Sequence, residues 1–203
     1  MVLIPVPPGE VAAVVTYLEM RERPRPAPLL PSPLRLERWR APALGRYRTL
    51  FRRVGTPWLW FSRLVMDDDA LAAIIHDPGV EVYAVTERGI EVGLLELDFR
   101  DTGVAALSYV ALVPELAGRG HGRWLLARAL MLAWRPGVER VTVHTCTLDH
   151  PAALPAYRHA GFAVVGRAVE TFPDPRASGI LDAGDAPQIP RVPASTDGSE
   201  RRR

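Results

Sequence analysis

The chain has 203 residues, a formal net charge of +2 and a single cysteine, Cys146. This length is enough for one domain of ordinary size with appendages. All 25 basic residues are arginine because the sequence contains no lysine, which excludes both a pyridoxal Schiff base and a P-loop. An internal disulfide is excluded, and no apolar run is long enough to span a bilayer. We therefore expect a cytoplasmic protein that does not interact with a membrane.

The positive charge is concentrated in three arginines, Arg201, Arg202 and Arg203, without which the formal net charge is −1. Nucleic-acid-binding proteins more often carry a basic stripe on a folded face. We therefore expect no nucleic-acid partner. The alternative, in which these three arginines anchor the chain to a nucleic acid, predicts strongly salt-dependent binding.

Residues 1–33 are interpreted as an N-terminal extension with a proline-rich connector. Residues 22–33 contain so many prolines that neither a helix nor a central strand can continue through them. The preceding residues 11–20 are compatible with a strand or a short helix, because periodicity does not separate the two. We favour the strand.

Residues 34–172 are predicted to form one α+β domain in which strands and helices alternate. Turn signals separate the strands, and Asp67 stands at an expected helix N-cap. The expected strands are Leu34–Trp39, Val80–Thr86, Ile90–Phe99, Val104–Val113, Arg140–Thr147 and Phe162–Thr171, and the expected helices are Pro42–Val54, Asp67–Ile75, Gly122–Trp134 and Pro151–Ala160. Residues 173–203 lack apolar periodicity and are expected to form a largely flexible tail.

The segment GRGHG, residues 118–122, joins a strand that stops at Pro114 to the following helix. Glycines allow the backbone to approach an anion, and the free N–H groups of a helix's first turn favour negative charge. Arg119 and Arg123 add positive charge beside this loop. The order of strand, glycine loop and helix is typical of phosphate binding.

A simple tight turn is the alternative interpretation of this loop. Glycine at the start of a helix costs roughly 0.5–1 kcal/mol relative to alanine, so a plain turn rarely uses both Gly120 and Gly122. A dinucleotide-binding fold is disfavoured as well, because its glycine loop opens an early βαβ unit. Here the loop follows several strands that look antiparallel.

Two motifs together resemble those of the GNAT acyltransferases. The segment around the glycine loop is similar to the family's Gln/Arg-x-x-Gly-x-Gly/Ala motif after a Val-x-Pro-Glu strand end, with matches at Val113, Pro114, Glu115, Gly118, Gly120 and Gly122. Residues 147–162 resemble a second motif, Ala-x-x-x-Tyr-x-x-x-Gly-Phe. The family's Gln or Arg falls at Ala117, and the Asn that often precedes the second helix is missing near Asp149 and His150.

This resemblance implies an α+β, three-layer fold with a mixed, mostly antiparallel central sheet flanked by helices. It also implies acetyl-CoA as cosubstrate and no metal. The backbone of Leu112 and Val113 is expected to pair with the pantetheine arm of acetyl-CoA. The backbone amides expected to hold the pyrophosphate belong to Gly118, Arg119, Gly120, His121, Gly122 and Arg123.

For catalysis, the resemblance places Tyr157 where a phenol donates a proton to the leaving thiolate. A backbone N–H near Val113 is the expected oxyanion donor. Glu96 is the candidate general base, and Asp98, on the same strand face, is an equally placed alternative that would also act through water. The alternatives are that Tyr157 only packs its helix against the sheet and that both carboxylates only form a solvated strand face.

Other residues suggest chemistry less strongly. His144, Cys146 and His150 lie near each other in sequence, but a structural zinc site needs four ligands and no fourth stands nearby. Cys146 is more simply a small buried side chain than a nucleophile. The aromatic residues in 58–61 either shape the acceptor pocket or belong to the core.

The sequence thus predicts an N-acetyltransferase that transfers an acetyl group by direct attack of a small-molecule amine or a protein N-terminus. The alternative is a non-catalytic acyl-CoA-binding regulatory module, for which the unassigned base and Ala117 argue. Whether the chain forms a homodimer is left open.

Overall fold

Seven strands form a single sheet in the computed structural model, which describes residues 2–25 and 31–193. The strands lie in the order β2-β3-β4-β5-β6-β1-β7. Their bounds are β1 Glu10–Met20, β2 Arg35–Trp39, β3 Val80–Glu87, β4 Ile90–Asp98, β5 Val104–Leu112, β6 Arg140–Cys146 and β7 Ala163–Pro173.

Four helices flank this sheet, namely α1 Leu44–Gly55, α2 Asp68–Ile75, α3 His121–Ala133 and α4 Ala153–His159. Every neighbouring pair of strands is antiparallel except β5 and β6, which are parallel and joined by the crossover helix α3. The predicted α+β fold with a mixed, mostly antiparallel central sheet is confirmed.

The helices and strands of the domain form where sequence periodicity and capping predict them, with bounds that differ by at most two residues. The side chain of Asp67 accepts a hydrogen bond from the backbone N–H of Ala70 at 2.8 Å, so the predicted N-cap of α2 is present. In α1, buried side chains recur every three or four residues, which is the spacing of one helix face: Tyr47, Leu50, Phe51 and Val54.

The core lies on both sides of the central strands. β3 and β4 are buried along almost their whole length, so their side chains contact neighbours on both faces of the sheet. The largest fully buried apolar side chains include Tyr47, Phe51, Leu71, Leu94, Leu95, Leu97 and Leu125. This packing fixes α1 against one face of β4, which matters for the site below.

The N-terminal extension is part of the sheet. Residues 11–20 form a strand, as we favoured, but β1 inserts between β6 and β7 and pairs with both. A strand with partners on both sides is an internal strand. The boundary at residue 34 therefore does not separate an appendage from the domain, and the sequence could not show this because the partners follow more than 100 residues later.

Residues 174–193 also pack against the domain, contrary to the expected flexible tail. The Asp174 and Arg176 side chains are 5% and 1% exposed and form an ion pair at 2.8 Å. The same guanidinium donates hydrogen bonds to the carbonyl oxygens of Asp185, Ala186 and Ile189. One buried arginine therefore provides hydrogen bonds to several backbone carbonyl groups. Apolar periodicity in the sequence does not reveal this kind of stabilisation. The remainder of the expected tail, residues 194–203, lies outside the described residues.

Hydrophobic contacts attach this C-terminal segment to the rest of the molecule. Leu181 is buried in a small cluster with Val11 of β1 and Leu59. The amide of Gln188 donates a hydrogen bond to the carbonyl oxygen of Pro57 at 2.6 Å. The segment therefore packs on the outside of the loop that follows α1. No helix within residues 2–25 and 31–193 is both long and apolar enough to cross a membrane.

Candidate active site

The two parallel strands separate halfway along their length. Residues 104–107 of β5 pair with residues 140–143 of β6, and the pairing stops there. Beyond this point β5 keeps only its pairing with β4, and β6 keeps only its pairing with β1. The facing edges of residues 108–112 and 144–146 are thus left open. We call this opening the fork.

A β-bulge lies where the fork begins. Glu96 pairs with Tyr109 and Leu97 pairs with Leu107, so Ser108 is an extra residue on β5. A bulge bends its strand and increases the local twist. It therefore directs the remainder of β5 away from β6.

The backbone of β5 presents alternate residues to the fork. The N–H of Val113 donates to the carbonyl oxygen of Val92 at 2.9 Å, and the carbonyl of Val113 accepts from the N–H of Leu116 at 3.1 Å. The N–H of Val113 is therefore engaged within the protein, so the expected oxyanion donor near Val113 has to be a neighbouring N–H, and its carbonyl already accepts one internal hydrogen bond. Because the direction of the backbone groups alternates along a strand, those of Leu112 and Val110 are turned away from β4 and toward the fork.

The glycine loop lies at the end of this arm of the fork. Gly118 and Gly120 have φ angles of +74° and +79°, which residues with a side chain rarely adopt. A Cβ atom added at Gly118, Gly120 or Gly122 would meet no atom within 4 Å, so packing does not explain these glycines. The space above the loop is open.

Helix α3 begins at His121 without a side-chain cap on its first turn and without an acidic residue there. The N–H groups of its first turn therefore remain available to an external acceptor. Arg119 and Arg123 are exposed beside them, and the His121 ring is bonded through Nδ1 to the Ser32 hydroxyl at 3.2 Å. The predicted phosphate-binding residues thus lie together at one helix N-terminus.

Tyr157 lies on α4, immediately after the β6 arm. Its ring is buried and packs edge-on against Phe162, with ring centroids 5.8 Å apart. Burial, with a further contribution from the charge of Asp149, raises the pKa of Tyr157 well above the ordinary tyrosine range. The phenol therefore keeps its proton at neutral pH.

Glu96 is not placed as a free general base, contrary to our expectation. It is completely buried, and its Oε2 accepts a hydrogen bond from the Tyr47 hydroxyl at 2.6 Å. Its Oε1 accepts from the Arg63 guanidinium, also at 2.6 Å. Both carboxylate oxygens therefore already accept hydrogen bonds from other side chains. The negative charge of Glu96 balances the charge of the buried Arg63 guanidinium. Asp98 is engaged as well, in an ion pair with Arg100.

The loop formed by residues 56–66 connects α1 to both arms of the fork. The Trp60 indole N–H donates to Asp149 Oδ1 at 2.9 Å, beyond the end of β6. The Ser62 and Tyr109 hydroxyls are hydrogen-bonded at 2.6 Å, and Tyr109 belongs to β5. This loop therefore bridges the open end of the fork.

The aromatic residues of this loop have different surroundings. Trp60 packs against Phe51 and Tyr109, with ring centroids 5.9 and 5.1 Å apart. Phe61 packs against Phe172. Trp58 contacts the His150 ring. Trp60 is therefore the aromatic that connects this loop to the β5 arm.

Asp149 is a site residue that our sequence reasoning did not assign. Besides its contact with Trp60, its Oδ2 accepts hydrogen bonds from the Thr145 hydroxyl at 2.7 Å and the Cys146 N–H at 2.9 Å. These three bonds fix the end of β6 to the 56–66 loop. The available signal was its position, where the family motif often has an asparagine.

A cavity of about 410 Å³ opens beside the vertex of the fork. The cavity lies on the face of the sheet that α1 covers. Arg63 lines it and donates a hydrogen bond to Glu96, and the same carboxylate accepts a hydrogen bond from Tyr47 of α1. Its polar lining comes from Tyr17, Glu19, Arg63, Ser108, Tyr109, Thr142 and His144. A wider depression of about 1000 Å³ between α4 and β7 contains none of these residues.

Within the described ranges, no three His, Cys, Asp or Glu side chains come together as a metal site requires. Burial raises the pKa of the Cys146 thiol to about 11. The thiol is therefore protonated at neutral pH and is a poor nucleophile and metal ligand.

Comparison with solved structures identifies chains with a similar fold. A GCN5-related N-acetyltransferase from Sphaerobacter thermophilus is 20% identical, with a TM-score of 0.55 over 93% of this chain and 55% of that one. A GCN5-related N-acetyltransferase from Kribbella flavida is 14% identical, with a TM-score of 0.54 over 82% of this chain and 60% of that one. The chain thus spans less than two thirds of these two proteins.

An aminoglycoside acetyltransferase from an uncultured soil metagenomic sample is also similar, with 20% identity and a TM-score of 0.52 over 63% of this chain and 87% of that one. No curated protein matches the chain by sequence. The family model of the GNAT acetyltransferases matches residues 35–162, which include the fork, the glycine loop and Tyr157. The chain therefore belongs to the GNAT acetyltransferase family.

Proposed function

We propose that this protein transfers an acetyl group from acetyl-CoA to an amine, which is a small molecule or a protein N-terminus. The observation that carries the proposal is the open fork between β5 and β6, with the glycine loop at the end of one arm. A strand edge without a partner can bond an extended amide chain, and a helix N-terminus can bond phosphate. Acetyl-CoA contains both groups in one molecule.

On the donor side, the backbone of Leu112 and Val110 supports pairing with the pantetheine amides, since these groups are turned toward the fork. The amides of residues 118–123 are suited to the pyrophosphate because glycines keep the space above them open. Arg119 and Arg123 supply positive charge next to it. No step of this binding requires a metal ion.

In the proposed reaction the amine attacks the thioester carbonyl carbon, the C–S bond breaks and the sulfur takes a proton. Tyr157 is the proposed proton donor, because it carries a phenol O–H at the position that the family motif gives to tyrosine and its helix follows the β6 arm. With Val113 occupied, the N–H groups of Leu112 and Val110 are the remaining candidates on this arm to stabilise the oxyanion.

A non-catalytic acyl-CoA-binding module is the second candidate function. The observation in its favour is that Glu96, the expected base, is fully occupied by Tyr47 and Arg63. This alternative predicts binding of acetyl-CoA without transfer to any amine. The cavity beside the fork favours the enzyme, because it offers an acceptor a place next to the proposed thioester position.

Calorimetric titration with acetyl-CoA tests the donor site. Gly122→Glu is the most informative variant, because Gly122 lacks a positive φ angle and has open space around it, so the substitution adds bulk and negative charge without strain. Gly45→Glu is the matched control, since Gly45 is an exposed helical glycine on α1 with equally open surroundings. We expect saturable binding that Gly122→Glu abolishes and Gly45→Glu retains. Absence of binding by the unaltered protein would refute the proposal.

A further inference from the structure

The cavity beside the fork contains five titratable or charged side chains. Two are on β1, one on the 56–66 loop, one on β5 and one on β6: Tyr17, Glu19, Arg63, Tyr109 and His144. An amine that enters this cavity as an ammonium ion must lose a proton before it can attack a thioester. Because Glu96 is unavailable, the proton acceptor has to be sought among the residues lining the cavity.

Four of these five side chains are poor proton acceptors. Arg63 is permanently charged and paired with Glu96. The Tyr109 hydroxyl is bonded to Ser62, and burial raises its pKa. Glu19 forms an ion pair with Arg21 at 2.7 Å. Tyr17 offers a phenol oxygen, which is a weak proton acceptor.

His144 is the remaining side chain, and its position on β6 is favourable. It follows Val143, the last residue of β6 that pairs with β5, so it is the first residue of the open β6 arm. It lies directly opposite Tyr17 on β1, with ring centroids 6.2 Å apart. Its ring has no hydrogen-bond partner among residues 2–25 and 31–193, and it lines the cavity. Both ring nitrogens are therefore available.

We propose that His144 is the general base that accepts the proton of the acceptor amine. This inference rests on the acetyl transfer proposed above. An imidazole nitrogen of His144 takes one proton from the ammonium group, and the neutral amine forms a C–N bond to the acetyl carbon. The C–S bond breaks, the thiolate takes a proton and the amide nitrogen loses its second proton. In total, one ammonium ion and one thioester become an amide, a thiol and one released proton.

The size of the cavity indicates the class of acceptor that this base serves. About 410 Å³ lies within the range of small-molecule sites. Glu19 lies two residues from Tyr17, the β1 partner of His144, and therefore on the same wall of the cavity. Arg21 contacts its Oε1 only, so Oε2 can accept a hydrogen bond from an ammonium group. A small primary amine that arrives as an ammonium ion therefore fits the charge and volume of this cavity.

Two matched acceptors test the proton transfer. Benzylamine is an ammonium ion at neutral pH, whereas O-benzylhydroxylamine has nearly the same size and an uncharged nitrogen. Acetylation of each by the full chain is measured with His144→Gln and with the matched control His159→Gln, an exposed histidine on α4. We expect His144→Gln to lower kcat about 100-fold or more with benzylamine and much less with O-benzylhydroxylamine. His159→Gln should leave both rates unchanged.

The pH profile supplies a readout that a merely structural role would not change. The unaltered protein should lose benzylamine turnover at acidic pH. In His144→Gln this limb should move to the higher pH at which benzylamine loses its proton without help, while acetyl-CoA affinity stays the same. An equal loss with both amines, or the same displacement of the acidic limb in Glu19→Gln instead, would overturn the assignment. Transfer to neither amine, with acetyl-CoA still bound, would overturn this acceptor site but leave the donor site standing.

Discussion

Glu96 and Arg63 form a buried ion pair at 2.6 Å, with the carboxylate fully buried and the arginine side chain 12% exposed. The pair joins the middle of β4 to the 56–66 loop, and Tyr47 of α1 completes it with a second hydrogen bond to the carboxylate. The loop that bridges the fork is thus attached to the core of the sheet by charge. Removal of one partner would leave the other charge buried without compensation.

We therefore predict that Glu96→Gln lowers stability by about 3–5 kcal/mol, the usual cost of breaking a buried pair. Urea unfolding followed by circular dichroism measures this change. The double variant Glu96→Leu with Arg63→Met should recover most of the lost stability, because neither charge then remains. If Glu96→Gln abolished turnover while the unfolding midpoint stayed the same, Glu96 would be a general base after all.

Tyr157→Phe should lower kcat about 100-fold or more, because it removes the proposed proton donor to the thiolate. Since the ring remains, stability and acetyl-CoA affinity should change little. Steady-state kinetics combined with calorimetry separate these effects. Tyr83→Phe is the control, since Tyr83 lies on β3 and its hydroxyl bonds Glu81 away from the fork. Unchanged kcat in Tyr157→Phe would leave Tyr157 with a packing role only.

Asp149→Ala should raise KM for the amine more than it lowers acetyl-CoA affinity. The substitution frees the Trp60 indole and the end of β6, and it leaves three donors without their acceptor. We expect a stability loss of about 1–3 kcal/mol, the cost of unsatisfied buried groups. Trp60→Phe removes only the indole bond and should show a smaller change in KM. Equal KM values for Asp149→Ala and the unaltered protein would show that the bridge does not shape the acceptor site.

The Asp174 and Arg176 pair predicts how acid affects the C-terminal segment. Hydrogen bonds from Arg176, together with its charge, hold the pKa of Asp174 below its ordinary value. A carboxyl with a lowered folded pKa stabilises the fold above its unfolded pKa of about 3.9, and this contribution is lost as pH falls through the folded value. Asp174→Asn should therefore lower stability at pH 7 by about 1.5–3 kcal/mol, and its difference from the unaltered protein should shrink under acid conditions.

Thermal unfolding at neutral and acid pH measures this difference, and limited proteolysis reports on residues 174–193. The segment should be cleaved faster in Asp174→Asn at pH 7. The same stability difference at both pH values would show that the carboxylate charge does not hold the segment in place.

Local signals were sufficient for most elements of the fold. The predicted strands and helices depend on periodicities of two and of three to four residues, and their ends depend on neighbours such as Asp67 or the turn glycines. The glycine loop could be recognised for the same reason, because positive φ angles at Gly118 and Gly120 and the start of α3 are local properties. Two motifs in order then indicated the family.

The partners of individual atoms required the tertiary structure. Glu96 accepts hydrogen bonds from Arg63 and Tyr47, which are 33 and 49 positions earlier in the chain. Likewise, β1 pairs with strands from the other end of the chain. Distant partners also determine the state of Val113, whose N–H donates to the carbonyl oxygen of Val92, and they form the cavity that His144 lines. Residue type and spacing alone determined the order of the elements and the position of the glycine loop. Contacts between distant residues decided the rest: which carboxylates are already paired, which N–H groups face the fork and which segments cover the fork. These contacts depend on how the strands are arranged in space.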